Sequence, residues 1–193
     1  MKFIVDGFPR QGNTTLIRVI KNVFENQAVN EYPSHDLTLI DQNIRDNNIL
    51  LFPIRDPLSV IASFCEMQML KFPDNRESPK NNHMLDHALK TLKSFQDYAI
   101  QNLHKMHVIR FEDIVEMSED YKNTNINNNR IIKKLSKQYK LENIQRIDPL
   151  FNTFSEYSST KNPSLEEWIL ADNFSEIFVK IVNNHNFLVN KSY

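Results

Sequence analysis

The only two glycines in 193 residues are Gly7 and Gly12, where an average usage of ~7% would give roughly 13. They stand five apart in FIVDGFPRQGNTTL, directly after an apolar run. G-x-x-x-x-G between a strand and a helix is the spacing of a phosphate-binding loop. Glycine lets the backbone turn tightly with its N–H groups inward, and the helix start adds partial positive charge. Phosphate or sulfate oxygens would find as donors the amides of residues 11 to 15 and the hydroxyls of Thr14 and Thr15. The loop's one cation is Arg10. A nucleotide triphosphatase has Lys after the second glycine to reach the β and γ phosphates; this chain has Asn13. The competing reading is a turn that uses glycine for geometry alone.

A second anion site is suggested by LLFPIRDPLSVIASF. Arg55 ends a strand, at the edge where open α/β sheets bind ligands. Ser63 lies eight residues on, and Ser59 and Ser63 share one helix face. A guanidinium fork and a hydroxyl suit a second phosphate, separated from the first. The plainer alternative is a surface ion pair between Arg55 and Asp56, with Ser63 a tolerated helical serine.

These residues need elements to position them. FIVD (3–6) reads as a buried strand, and residues 14–25 carry a helical stripe of Leu16, Ile17, Val19, Ile20, Val23 and Phe24. LTLI (37–40), NILLFPIR (48–55) and KMHVIRFED (105–113) are further strand candidates. Asp56 caps a helix whose first position takes Pro57. Residues 71–83 have loop composition, and 85–104, 129–141 and 164–187 read as helices. Strands alternating with helices imply a mainly parallel sheet of four to five strands, covered on both faces.

A formal net charge of −1 argues against a general binder of nucleic acid or membrane surfaces. Cys65 is the only cysteine, so no intrachain disulfide forms and a reducing compartment fits. It lies in an apolar stripe and reads as a buried thiol. No signal peptide or membrane span is visible, which predicts a soluble, cytoplasmic protein. His83 with His87, and His104 with His107, are spaced to share a helix face. No carboxylate or cysteine pattern completes a zinc site, so no metal is expected. The basic run Arg130, Lys133, Lys134, Lys137 and Lys140 reads as a solvated helix face. Glu112 and Asp113 read as the start of a helix after the last strand.

At this point the chain resembles a family. GFPRQGNTTL is similar to the sulfotransferase loop for the 5′-phosphosulfate of 3′-phosphoadenosine 5′-phosphosulfate (PAPS), written P-[KR]-S-G-T-[TS]. RDPLSVIAS is similar to that family's 3′-phosphate signature, R-[DN]-P-x-x-x-x-x-S, and VIRFEDIV to its R-Y-E-D-L strand. The resemblance covers residues 3 to about 115. It implies a three-layer, P-loop NTPase-like α/β sandwich with C-terminal helices. Residues 1–193 would form one domain, with a nucleotide-binding core at 1–115 and a mostly helical remainder at 116–193.

The resemblance also implies roles. Arg10 would meet the transferred sulfuryl group; Gln11, Gly12, Asn13, Thr14 and Thr15 would cradle the 5′ end; Arg55 and Ser63 would hold the 3′-phosphate. His35, twenty residues before Arg55, falls on the base, with Glu31 or Asp36 as alternatives. PAPS would be the donor, 3′-phosphoadenosine 5′-phosphate (PAP) the product, and an unidentified hydroxyl or amine compound or glycan the acceptor. Gln11 and Asn13 replace the family's Ser and Thr, and no glycine follows Gly12 to build its C-terminal phosphate segment. Two other readings stay open: a P-loop kinase using MgATP, and a nucleotide-binding relative without activity.

Overall fold

The computed structural model describes residues 2–24, 27–71, 82–141, 167, 169–170 and 175–193. Among these, four strands form one all-parallel sheet in the order β2-β1-β3-β4: β1 (Lys2–Val5), β2 (Ala28–Val29), β3 (Ile49–Ile54) and β4 (Met106–Arg110). The helices α1 (Asn13–Val23), α2 (Leu37–Arg45), α3 (Pro57–Lys71) and α4 (Asn82–Gln101) lie between strands in sequence. After β4 come α5 (Phe111–Lys122), α6 (Arg130–Tyr139) and α7 (Ser175–Lys191). No helix among the described residues is long and apolar enough to cross a membrane.

Strand alternation sends side chains to two cores. Ile4, Leu50, Phe52, Ile54 and Val108 pack with Ile61 of α3, Leu89 of α4 and Ile181 of α7. Phe3, Val5, Leu51 and Ile109 pack with Leu16 of α1, Ile114 of α5 and Ile132 of α6. Both faces are thus covered, which is why β3 is apolar and buried along its whole length. Each such aliphatic or aromatic side chain contributes about 1.5–3 kcal/mol by leaving water.

The element after β1 lies on one face and the element after β3 on the other. The carboxyl ends of these neighbouring strands therefore flank a crevice of the kind in which open α/β sheets bind ligands. Pro53 shows how β3 extends into it. Leu51 turns its carbonyl toward β1 and accepts from the Asp6 N–H at 3.2 Å. Two residues on, Pro53 turns the same way, beyond the last β1–β3 pair of Val5 with Leu51. Its missing N–H forfeits no ladder bond there, while β4 continues alongside to Arg110.

Three expectations from the sequence are corrected. LTLI is not a strand but the first turn of α2. Asp36 caps it by accepting from the Thr38 N–H at 2.7 Å, and Ile40 is buried with Leu37 and Ile44 packed beside it, a helical spacing. The strand at that edge is the two-residue β2. The strand at 105–113 is shorter than expected: Lys105 closes a 3-10 turn and Phe111–Asp113 form the first turn of α5. The segment 71–83 is a loop at neither end, since Lys71 belongs to α3 and Asn82 and His83 to α4; its residues 72–81 lie outside the described residues, as does most of 164–174 in the expected C-terminal helix.

Candidate functional site

Gly12 shows why this position is glycine. Its φ is 89°, in the left-handed region, and a Cβ there would stand 3.0 Å from the Phe111 ring and 3.3 Å from Ile114 Cδ1. It precedes α1 without offering a side-chain cap. The first intrahelical bond runs from the Leu16 N–H to the Gly12 carbonyl at 3.0 Å. The amides of Asn13, Thr14 and Thr15 therefore have no intrahelical acceptor. Packing of Leu16, Val19 and Ile20 holds the helix instead. The Thr14 side chain is exposed and Thr15 half-buried.

Gln11 and Asn13 turn inward, at 1% and 4% exposure. The Asn13 amide donates to the Phe8 carbonyl at 3.0 Å. Gln11 Oε1 and Asn13 Oδ1 have no hydrogen-bond partner, and both lie on the side of Gly7 where a Cβ would project, 3.3 and 3.6 Å from that position.

The cations gather across the crevice. Arg10, at a left-handed φ of 69°, donates from Nε to Ser63 Oγ at 2.8 Å. Arg55 Nη1 lies 3.5 Å from the Arg10 carbonyl, at the outer limit of a hydrogen bond, and its guanidinium stacks 4.3 Å over the Phe111 ring. Burial, and next the Arg10 charge, hold the Arg55 pKa below its ordinary value, with Asp56 and Glu112 opposing. Among the described residues, neither Arg10 nor Arg55 forms a salt bridge. Asp56 is occupied in capping α3, accepting from the Ser59 N–H at 2.9 Å. The Arg10 side chain thus links the glycine loop after β1 to α3 through Ser63.

His35 also reaches the loop. Its Nδ1 is 2.6 Å from the Gly7 carbonyl. Of the alternatives, Asp36 is committed to capping α2, and Glu31 is exposed. Cys65 is buried, and burial pushes its thiol up to about 12, unsuited to nucleophilic work. His104 and His107 share no helix face, lying in a 3-10 turn and in β4. Among the described residues, no group of three His, Cys, Asp or Glu is placed to hold a metal.

Three contributors escaped the sequence reading. Phe111 touches both Gly12 and Arg55, but was read as strand. Asp6 is a buried carboxylate just beyond β1 and immediately before Gly7, and its partners Ser34 and His35 lie 28 and 29 residues away. His185 of α7 has a buried Nδ1 without a partner; burial lowers its pKa, while Asp56 and Glu112 act against this. Comparison of the chain with protein-family models, curated proteins and solved structures finds no match.

Proposed function

We propose that the chain is a sulfotransferase that uses PAPS as donor and a hydroxyl or amine compound as acceptor, on a P-loop NTPase-like scaffold. The observation that carries this is the grouping of Arg10, Arg55 and Ser63 beside an uncapped, glycine-led helix start, with neither guanidinium ion-paired among the described residues. Two like charges so placed favour an anion between them.

The residues fit the donor. Arg55 and Ser63 would hold the 3′-phosphate, and the amides of residues 12 to 15 with Arg10 would hold the 5′ end. Bound there, PAPS supplies the sulfuryl group that is transferred. Arg10 and the first-turn amides would then donate to the negative charge that grows on the bridging oxygen. His35 Nδ1 faces a carbonyl, which only accepts, so Nδ1 carries the hydrogen and Nε2 offers its lone pair. His35 is thereby suited to take the acceptor's proton. A kinase reading is disfavoured because Asn13, where a lysine would be needed, bonds the Phe8 carbonyl.

A thermal-shift panel tests the reading. Adenosine 3′,5′-bisphosphate without metal should raise Tm more than MgATP does; the reverse order would favour a kinase. Transfer from labelled PAPS to mixed acceptors should then be detectable, and bisphosphate binding without transfer would make the chain a non-catalytic relative. Arg10→Ala should lower turnover more than nucleotide affinity. An unchanged rate would remove Arg10 from the chemistry.

A further inference from the structure

Asp6 is 1% exposed, and among the described residues none of its hydrogen-bond donors is a lysine or arginine. Its Oδ1 accepts from the Gly7 N–H at 2.8 Å and the His35 N–H at 2.9 Å. Its Oδ2 accepts from the Ser34 N–H at 2.8 Å and from the Ser34 hydroxyl. These donors belong to two segments 28 residues apart in sequence, the start of the glycine loop and the turn before α2. His35 holds a left-handed φ of 55°, a conformation uncommon outside glycine. The bond from its own N–H to Asp6 pins that conformation. The ring is thereby laid against the loop, Nδ1 on the Gly7 carbonyl at 2.6 Å and 4.0 Å from Asp6 Oδ1.

We propose that Asp6 is a positioning residue for His35: it locks the 34–35 turn so that Nδ1–H stays on the Gly7 carbonyl and Nε2 stays free as the base. The proposal rests on the reading of His35 as the base for transfer. A proton from the acceptor's O–H or N–H passes to Nε2, and the bonding pair stays on the acceptor atom. Nδ1 keeps its hydrogen, and the resulting imidazolium lies beside the Asp6 carboxylate, which opposes its charge. Because the ring hangs on Gly7, the base is registered to the anion loop itself.

The test has a spectroscopic arm and a kinetic arm. In ¹⁵N-histidine spectra of the wild-type chain at neutral pH, the His35 signals, assigned by their loss in His35→Gln, should show a protonated Nδ1 and an unprotonated Nε2. Asp6→Asn exchanges one acceptor oxygen for an NH₂ group, so either the Ser34 or the His35 donors lose their partner. The His35 signals should then shift toward the Nε2–H form. Affinity for adenosine 3′,5′-bisphosphate should stay within about threefold, while sulfuryl transfer falls about 100-fold. Ser34→Ala should give a smaller shift in the same direction. A wild-type His35 protonated at Nε2 overturns the proposal, as does an Asp6→Asn spectrum identical to wild type, or a loss of bisphosphate affinity as large as the loss of transfer. If the spectra follow expectation but the wild-type chain transfers no sulfuryl group, the positioning role stands and the sulfotransferase reading falls.

Discussion

At the residue scale, the two glycines do different work. Gly12 combines a φ of 89° with a Cβ position 3.0 Å from the Phe111 ring. An alanine there meets the left-handed penalty of about 1–2 kcal/mol and a clash with the half-buried Phe111 ring. Gly7 has no such φ, and its Cβ position meets Gln11 Oε1 at 3.3 Å, a side chain with room to yield only slightly. Gly12→Ala should therefore lower unfolding stability by about 2 kcal/mol or more, and Gly7→Ala by under ~1 kcal/mol. Denaturant unfolding of both variants checks this; equal losses would show that backbone conformation is not what selects glycine at position 12. The glycine spacing, Arg10, Arg55 and Ser63 could be singled out because local spacing and strand ends announce them. Asp6 and Phe111 could not be given roles, since their partners Ser34, His35, Gly12 and Arg55 are distant in sequence.

At the element scale, local signals decided which parts were legible. Asp56 and Pro57 announce α3, and the long apolar stripe of residues 85–103 announces α4. β2 has only two residues, Ala28 and Val29, too few for any periodicity, and it exists because β1 offers an edge. α2 was hidden because LTLI viewed as four residues looks like strand; the helical spacing emerges only when Ile44 is included. The cap makes α2 testable. Replacing Asp36 with alanine removes the acceptor for the Thr38 N–H and should cost about 1 kcal/mol, read as a lower denaturation midpoint. An unchanged midpoint would mean that packing of Ile40 alone sets the helix start.

At the scale of the whole molecule, β4 and α6 meet at His107, whose Nε2 pairs with the Tyr139 hydroxyl and whose ring lies 4.5 Å from that of Tyr193. Burial, and next the Lys134 charge, push its pKa from 6.5 down to about 4. The unfolded chain then binds more protons than the folded one between these values, so stability falls as pH drops through that window. The contribution is fully present above pH 6.5 and is lost by about pH 4. A His107→Phe variant should show a flatter Tm profile over this range, and an identical slope would place the titration elsewhere. The proposed anion site likewise joins separated parts of the chain: the loop after β1, the end of β3 and the first turn of α5. The most direct measurement of its role is calorimetric titration of adenosine 3′,5′-bisphosphate and of AMP into wild type and Arg55→Ala. The expectation is that the variant loses about 10- to 150-fold in bisphosphate affinity, the equivalent of a charge-assisted hydrogen bond, with AMP affinity nearly unchanged. Equal losses for the two ligands, or no bisphosphate binding to the wild-type chain, would contradict it.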